Sequence, residues 1–325
     1  MNYIQQAYKG KNDLWRYIAS FLVIVIGWQF IGAIPLLVVA VMHSKNTDAF
    51  IEGARENFLH MGINSNLFLF LMILTFAIGL FFLFFSIKHI HKRSKTSLIT
   101  SREKVDWKRF FYSFTLWFVV SAITIAIGYF TEPENFTWNF KPIPFFILVA
   151  ISFLFLPLQT SFEELFFRGY LMQGLGILAK NRWFPLFFTS IAFGLLHGAN
   201  PEVEKLGYII MVFYIGTGFL LGIMTLMDEG TELSLGFHAA NNITAAMLVT
   251  TNWTVFQTDA LLIDTSEPSV GWETFVPVFV IYPLILFVFS KKYGWTNWKE
   301  KLFGKITKPK QDNKSFFEEE SMLEL

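Results

Sequence analysis

The sequence predicts an all-α polytopic membrane protein, a bundle of about eight transmembrane helices with one of them broken or tilted. Three observations carry that expectation. Of the 325 residues, 54% are hydrophobic, 18% aromatic and only 16% charged, whereas an ordinary soluble domain is about a quarter charged. Apolar runs of about 20 residues, enough to cross about 30 Å of hydrocarbon as helix, recur along the chain. Lysine and arginine crowd alternate connections between these runs, as the positive-inside rule requires.

The first run, 17–42, follows Lys9, Lys11 and Arg16. It is longer than the roughly 7–15-residue core of a signal peptide and no clean cleavage site follows, so it reads as a span that stays in place. Runs 67–87 and 110–130 flank a loop, 88–109, that holds Lys88, Lys92, Arg93, Lys95, Arg102, Lys104, Lys108 and Arg109. The fourth run, 145–178, would reach about 50 Å as a straight helix at 1.5 Å per residue. Pro157 offers a kink there, and two half-spans are the alternative. Runs 184–200, 207–227 and 233–250 come next, followed by 274–290 and a tail rich in lysine (Lys291, Lys292, Lys299, Lys301, Lys305, Lys308, Lys310, Lys314) that turns acidic at Glu318, Glu319 and Glu320.

The alternate loops hold only Lys45 and Arg55, then Lys141, then Lys205, with none between Thr251 and Glu273, which places both termini and the loop 88–109 in the cytoplasm of a cell-membrane protein. An acidic turn at Asp228, Glu229 and Glu232 runs against this, although acidic residues count for little in the rule. Trp107, Trp117, Trp138, Trp183, Trp253 and Trp272 sit near expected span ends, as an interfacial aromatic belt would. The chain divides into helices 1–3 with the basic loop (1–144), a core (145–250), an outer loop with the last helix (251–290) and a cytoplasmic tail (291–325). A net charge of +1 gives no field that would draw nucleic acid. The lack of cysteine removes disulfides, thiolate metal sites and a cysteine nucleophile.

A charge at the bilayer centre costs at least about 2.5–3.5 kcal/mol, so ionisable residues inside spans need a reason. They are Glu163, Glu164, Arg168, His197 and His238; the other histidines, His43, His60, His89 and His91, fall in expected loops. Glu164 and Arg168 are four residues apart, the spacing of an ion pair along one helix face. Glu163 is turned by about 100° from Glu164 and addresses a different neighbour. A carboxylate in such an apolar setting is pushed toward the range of a general base. His238 and Asn242 share a helix face, as do Phe193 and His197. Helix-packing glue would explain any one of these residues, but it rarely needs two carboxylates, two imidazoles and an amide. Gly216, Gly218 and Gly222 are explained by close helix packing.

These residues resemble the CAAX-protease and bacteriocin-processing family, also called the Abi family. The match rests on E-E-x-x-x-R (Glu163, Glu164, Arg168), F-x-x-x-H (Phe193, His197) and H-x-x-x-N (His238, Asn242), in that order within roughly 145–250. The resemblance implies an eight-helix fold with its site in a cavity reached from the cytoplasmic side. It implies that Glu163 activates water with His197 beside it, and that His238 and Asn242 stabilise the oxyanion. The partners implied are membrane lipid and a membrane-associated or lipidated peptide or protein. The family's metalloprotease label leaves open a zinc ion on Glu163, His197 and His238, and a metal-free glutamate mechanism uses the same residues. H-E-x-x-H, a serine elbow and a pair of membrane aspartates are absent from the sequence. Two other readings use the same residues: a non-catalytic scaffold or immunity protein, and a proton-coupled transporter, for which inverted repeats would be expected and none is seen.

Overall fold

The computed structural model describes residues 1–309. Lys310, Lys314 and the acidic run Glu318, Glu319 and Glu320 lie outside the described residues. In chain order the main helices are α1 (Leu14–His43), α2 (Ser65–Ile90), α3 (Trp107–Thr131), α4 (Pro142–Ala179), the shorter apolar α5 (Trp183–Ala199), α6 (Tyr208–Asp228), α7 (Glu232–Met247) and α8 (Thr274–Tyr293), with short helices such as Thr47–Arg55 and Trp298–Phe303 in the connections. Six of them are long and apolar enough to cross a membrane, all but α5 and α7. The chain is therefore an all-α, multi-pass membrane bundle. Three short strands supplement it: β1 (Phe136–Trp138) pairs antiparallel with β3 (Leu262–Asp264), and β2 (Val249–Thr250) runs parallel to β3.

α7 is short and polar because protein, not lipid, surrounds it. Nearly every residue from Glu232 to Met247 is buried, and the helix lies against α3, α4 and α6. Its Ser, His, Asn and Thr side chains therefore find partners inside the bundle rather than facing hydrocarbon. Outward-facing apolar side chains lie on the enclosing helices instead, among them Phe111, Ile123 and Phe130 on α3 and Phe279 and Phe287 on α8. Close packing is allowed where a side chain is missing. A Cβ at Gly218 would run into the carbonyl of Ser190 on α5, and one at Gly236 into the carbonyl of Phe110 on α3. Gly218 and Gly222 both face α5, in keeping with the packing reading.

α4 departs from expectation in one respect. The helix continues through Pro157 as α-helix, and its irregular stretch is a π-helical segment at Leu165–Leu171, immediately after the glutamate pair. An expanded turn of that kind is common at functional sites. His43 ends α1 and His89 lies in the last turn of α2, so neither is a loop residue.

The loops gather into two opposite caps. One holds the N-terminal segment, 91–106, 180–182, 228–231 and 294–309, joined by backbone hydrogen bonds such as Lys11 N to His91 O (2.7 Å), Ser101 N to Glu229 O (3.0 Å) and Arg182 N to Gly304 O (3.1 Å). The acidic turn that opposed the charge rule is neutralised here. Asp228 accepts from Arg102 at 2.9 Å and from Arg109, Glu232 from Arg102 at 3.2 Å, and Glu229 pairs with Arg182 and Lys301. The other cap holds 44–64, 132–141, 199–207 and 248–271 and contains the small sheet; there Ser65 donates to Asp259 at 2.6 Å and Val255 N to Glu202 at 3.1 Å.

Candidate functional site

α4, α5 and α7 bring the motif residues together in the middle of the bundle. Glu164 and Arg168 are fully buried, each at 0% exposure. Arg168 donates Nη1–H to Glu164 Oε1 at 2.9 Å and Nη2–H to the Gly218 carbonyl at 3.0 Å, and its guanidinium lies 4.3 Å from the Phe193 ring centroid. The close approach of α6 at Gly218 is what makes that carbonyl available. Glu164 Oε1 also lies 2.9 Å from His238 Nδ1. A carboxylate only accepts, so Nδ1 carries the proton and the imidazole orientation is set.

Glu163 points elsewhere, as its position on the helix requires. Its Oε1 accepts from Gln159 Nε2 at 2.8 Å. Its Oε2 is 3.4 Å from His238 Nε2, an ion-pair contact, yet it is buried without a hydrogen-bond partner. Gln159 Oε1 in turn accepts from Asn242 Nδ2 at 2.9 Å, Asn242 Oδ1 from Asn241 at 3.2 Å, and Asn241 Oδ1 from Trp117 Nε1 at 3.1 Å. One polar chain thus runs Trp117, Asn241, Asn242, Gln159, Glu163, His238, Glu164, Arg168 across three helices, α3, α4 and α7.

A cavity of about 360 Å³ meets this chain. Glu163, His197, His238, Asn242 and Phe193 line it, together with Gln159, Asn241, Tyr214 and apolar residues that include Phe76, Leu156 and Phe256. Glu164 and Arg168 do not line it; they sit behind His238. The expectation of one pocket for all the motif residues is corrected to five lining it and a sealed ion pair supporting them. His197 donates Nδ1–H to the Phe193 carbonyl at 2.8 Å, which leaves Nε2 for the cavity, and its ring stacks on Tyr214 at 4.6 Å and 21°. A larger groove of about 520 Å³ between α1 and the end of α4, bordered by Tyr17, Phe21 and Leu178, contains none of the motif residues.

Several participants escaped the sequence reading. Gln159 stands one turn before Glu163 and Asn241 beside Asn242, so both were within reach of a search for uncharged polar residues in spans. Trp117 was assigned to the interfacial belt; it is instead buried, stacked on Phe237 at 4.2 Å and bonded to Asn241. Trp107, Trp138, Trp183 and Trp272 are exposed as a belt requires. Glu202, at the cavity rim, spends Oε1 on Val255 N while Oε2 is buried and unpartnered, and burial pushes its carboxyl above the usual range.

The zinc set does not fit. Among the described residues no group of three His, Cys, Asp or Glu side chains is placed to hold a metal ion. Glu163 Oε2 and His238 Nε2 face each other at 3.4 Å, but His197 is not placed to complete a three-ligand set with them. The loop residues that line the cavity are Asn200, Glu202, Val255 and Phe256, from the cap opposite the one that holds the N-terminus and residue 309.

Comparison with known proteins adds to this geometry. Residues 141–244 match the model of a family described as type II CAAX prenyl endopeptidase Rce1-like, a stretch that contains all three motifs. The chain is also similar to the uncharacterized protein YyaK of Bacillus subtilis (strain 168), 32% identical over 284 residues, which is 86% of this chain and 93% of that protein. No solved structure matches.

Proposed function

The chain belongs to the Rce1-like family of type II CAAX prenyl endopeptidases, and from that premise we propose that it is an intramembrane endopeptidase that cleaves a membrane-associated or lipidated peptide with glutamate-activated water. The observation that carries this reading is Glu163 Oε2, a buried carboxylate oxygen with no hydrogen-bond partner, beside His238 Nε2 at the wall of a cavity. A water bound there gives one proton to Glu163 while its oxygen attacks the scissile carbonyl. His197 Nε2, its other nitrogen committed to Phe193, accepts the second hydrogen and aims the water. The carbonyl oxygen gains charge in the tetrahedral intermediate. The Asn242 amide has one N–H on Gln159 and a second for that oxyanion, and His238, clamped by Glu164, turns its Nε2 edge to the same cavity. Glu163 then passes its proton to the departing amine nitrogen as the C–N bond breaks, which closes the cycle.

Glu164 and Arg168 act through His238, so they are positioning residues. The apolar wall formed by Ile73, Phe76, Leu156, Phe213 and Phe256 suits an acyl or prenyl chain or an apolar peptide segment. The test is cleavage by purified, detergent-solubilised protein of a prenylated C-terminal peptide and its unmodified counterpart, followed by mass spectrometry, with Glu163→Gln as the control. Cleavage by the parent and none by the variant supports the reading. Cleavage of equal rate by both overturns it, and a folded parent inert on a membrane-peptide library favours a non-catalytic member of the family.

A further inference from the structure

The cap with the N-terminus carries the basic loop 88–109, Lys180, Arg182 and Lys291 to Lys308. Exposed lysines in short connections are what orientation in a membrane requires, but Arg93 is not exposed. Just past the end of α2, Lys92 takes a left-handed backbone, φ 55°, and the next side chain turns inward, so that Arg93 is only 6% exposed. Its Nη1–H donates to Gln173 Oε1 on α4 at 2.6 Å, while Nε and Nη2 are buried without a hydrogen-bond partner. Its titratable neighbours are Tyr3, Tyr17 and Tyr170, and among the described residues no carboxylate pairs with it. By contrast, Arg16, Arg102, Arg109, Arg168 and Arg182 each hold a carboxylate within 3.3 Å. A buried cation left uncompensated is costly, so Arg93 calls for an anion. It borders a pocket of about 600 Å³ whose other lining residues are Lys9, Lys88, Lys92, Ser94 and Lys95, with all four lysines exposed.

We propose that this pocket binds a phosphate group, as a phospholipid headgroup or a soluble phosphate presents it. An anion seated among the lysines supplies the counter-charge that Arg93 lacks, and guanidinium and ammonium donors are the partners that phosphate oxygens take. It ties the N-terminal segment, through Lys9, and the connection after α2 to α4, because Gln173 also donates Nε2–H to the Ser97 carbonyl at 3.0 Å. The position favours the lipid source. A cluster of lysine and arginine immediately beyond a membrane-spanning helix meets lipid phosphates. The apolar groove of about 520 Å³ between α1 and the end of α4 adds room for an acyl chain at the same corner: Tyr17 and Tyr170 border it, and their rings lie 4.5 and 5.8 Å from that of His91, two residues before Arg93. Peptide hydrolysis has no part in this site.

The test is thermal unfolding of the full-length protein, in detergent with inorganic phosphate titrated against chloride at fixed ionic strength, and in phosphatidylcholine nanodiscs with and without phosphatidylglycerol. The melting temperature is expected to rise by several degrees and to saturate with at least one phosphate source. A rise with phosphatidylglycerol alone assigns the site to a headgroup, and a rise with inorganic phosphate as well opens it to soluble phosphates. The double variant Lys92→Gln/Lys95→Gln, both side chains exposed, is expected to unfold like the parent without the probe and to raise the half-saturating concentration by about 10–30-fold. Arg93→Gln should abolish the response; because it also removes the bond to Gln173, the lysine pair decides if that variant does not accumulate. Lys299→Gln/Lys308→Gln, exposed lysines of the same cap, should respond as the parent does. No saturable rise with either source, a rise that chloride reproduces, or equal losses in the two lysine pairs would overturn the proposal.

Discussion

The adjacent glutamates Glu163 and Glu164 divide one helical turn into two environments, and substitution should separate them. Glu163→Gln keeps the acceptor for Gln159 but removes the base, so turnover is expected to fall by about 10²–10⁴ with little change in melting temperature. Glu164→Ala strands a buried guanidinium and frees His238, and is expected to cost about 3–5 kcal/mol and much of the yield. Peptide cleavage and thermal unfolding measured on the same preparations distinguish the two; near-normal turnover in Glu163→Gln with a stable, inactive Glu164→Gln would reverse the roles. Asn242→Ala is expected to lower kcat by about 10²–10³, the usual loss for one oxyanion donor. His91, just beyond the end of α2, gives a pH effect with a definite sign. Burial lowers its pKa from 6.5 to about 4, so the folded state favours the neutral ring, whose Nδ1–H reaches the Lys11 carbonyl at 2.9 Å. The stability it contributes is complete above pH 6.5 and is lost as pH falls toward 4. His91→Gln is expected to flatten the melting temperature across that window, as thermal scans at stepped pH would show.

Among the elements, α7 and α4 mark where the sequence could and could not be read. The E-E-x-x-x-R turn was legible because charge in hydrocarbon is costly and i, i+4 spacing is geometric, and the observed Glu164–Arg168 pair follows from both. The eight runs were legible for the same reason. Gln159 and Asn241 stand out as uncharged polar residues in spans, but their partners, like the role of Trp117, were not legible, since an amide or an indole can be satisfied by lipid headgroups or by protein, and only packing decides which. Pro157 suggested a kink in α4, but the irregular stretch lies at Leu165–Leu171, where tertiary contacts hold Arg168 to Gly218 and Phe193. That arrangement depends on α5 and α6 touching. Gly218→Ala would set a methyl group against the Ser190 carbonyl and push away the acceptor of Arg168, so a loss of about 1–3 kcal/mol is expected from overpacking alone. Gly222→Ala meets the flexible end of Leu186 first and should lose less; equal unfolding temperatures for the two variants would contradict this account.

At the scale of the whole molecule, polarity is sorted twice. Side chains that face lipid are apolar and those at the centre are polar, which is how α7, too polar to stand in a membrane alone, becomes the wall of the site. The caps are sorted as well, since one holds the basic loop 88–109 and the other lends Asn200, Glu202, Val255 and Phe256 to the cavity wall. With Glu163 on the cavity wall and the Glu164–Arg168 pair sealed behind His238, neighbouring carboxylates of one helical turn meet different surroundings. Solvent that enters the cavity touches the first and is kept from the second. A small carboxyl-modifying carbodiimide is thus expected to find Glu163 and spare Glu164, as peptide mass mapping would show, so that one turn of α4 holds a reactive acid beside an inert one.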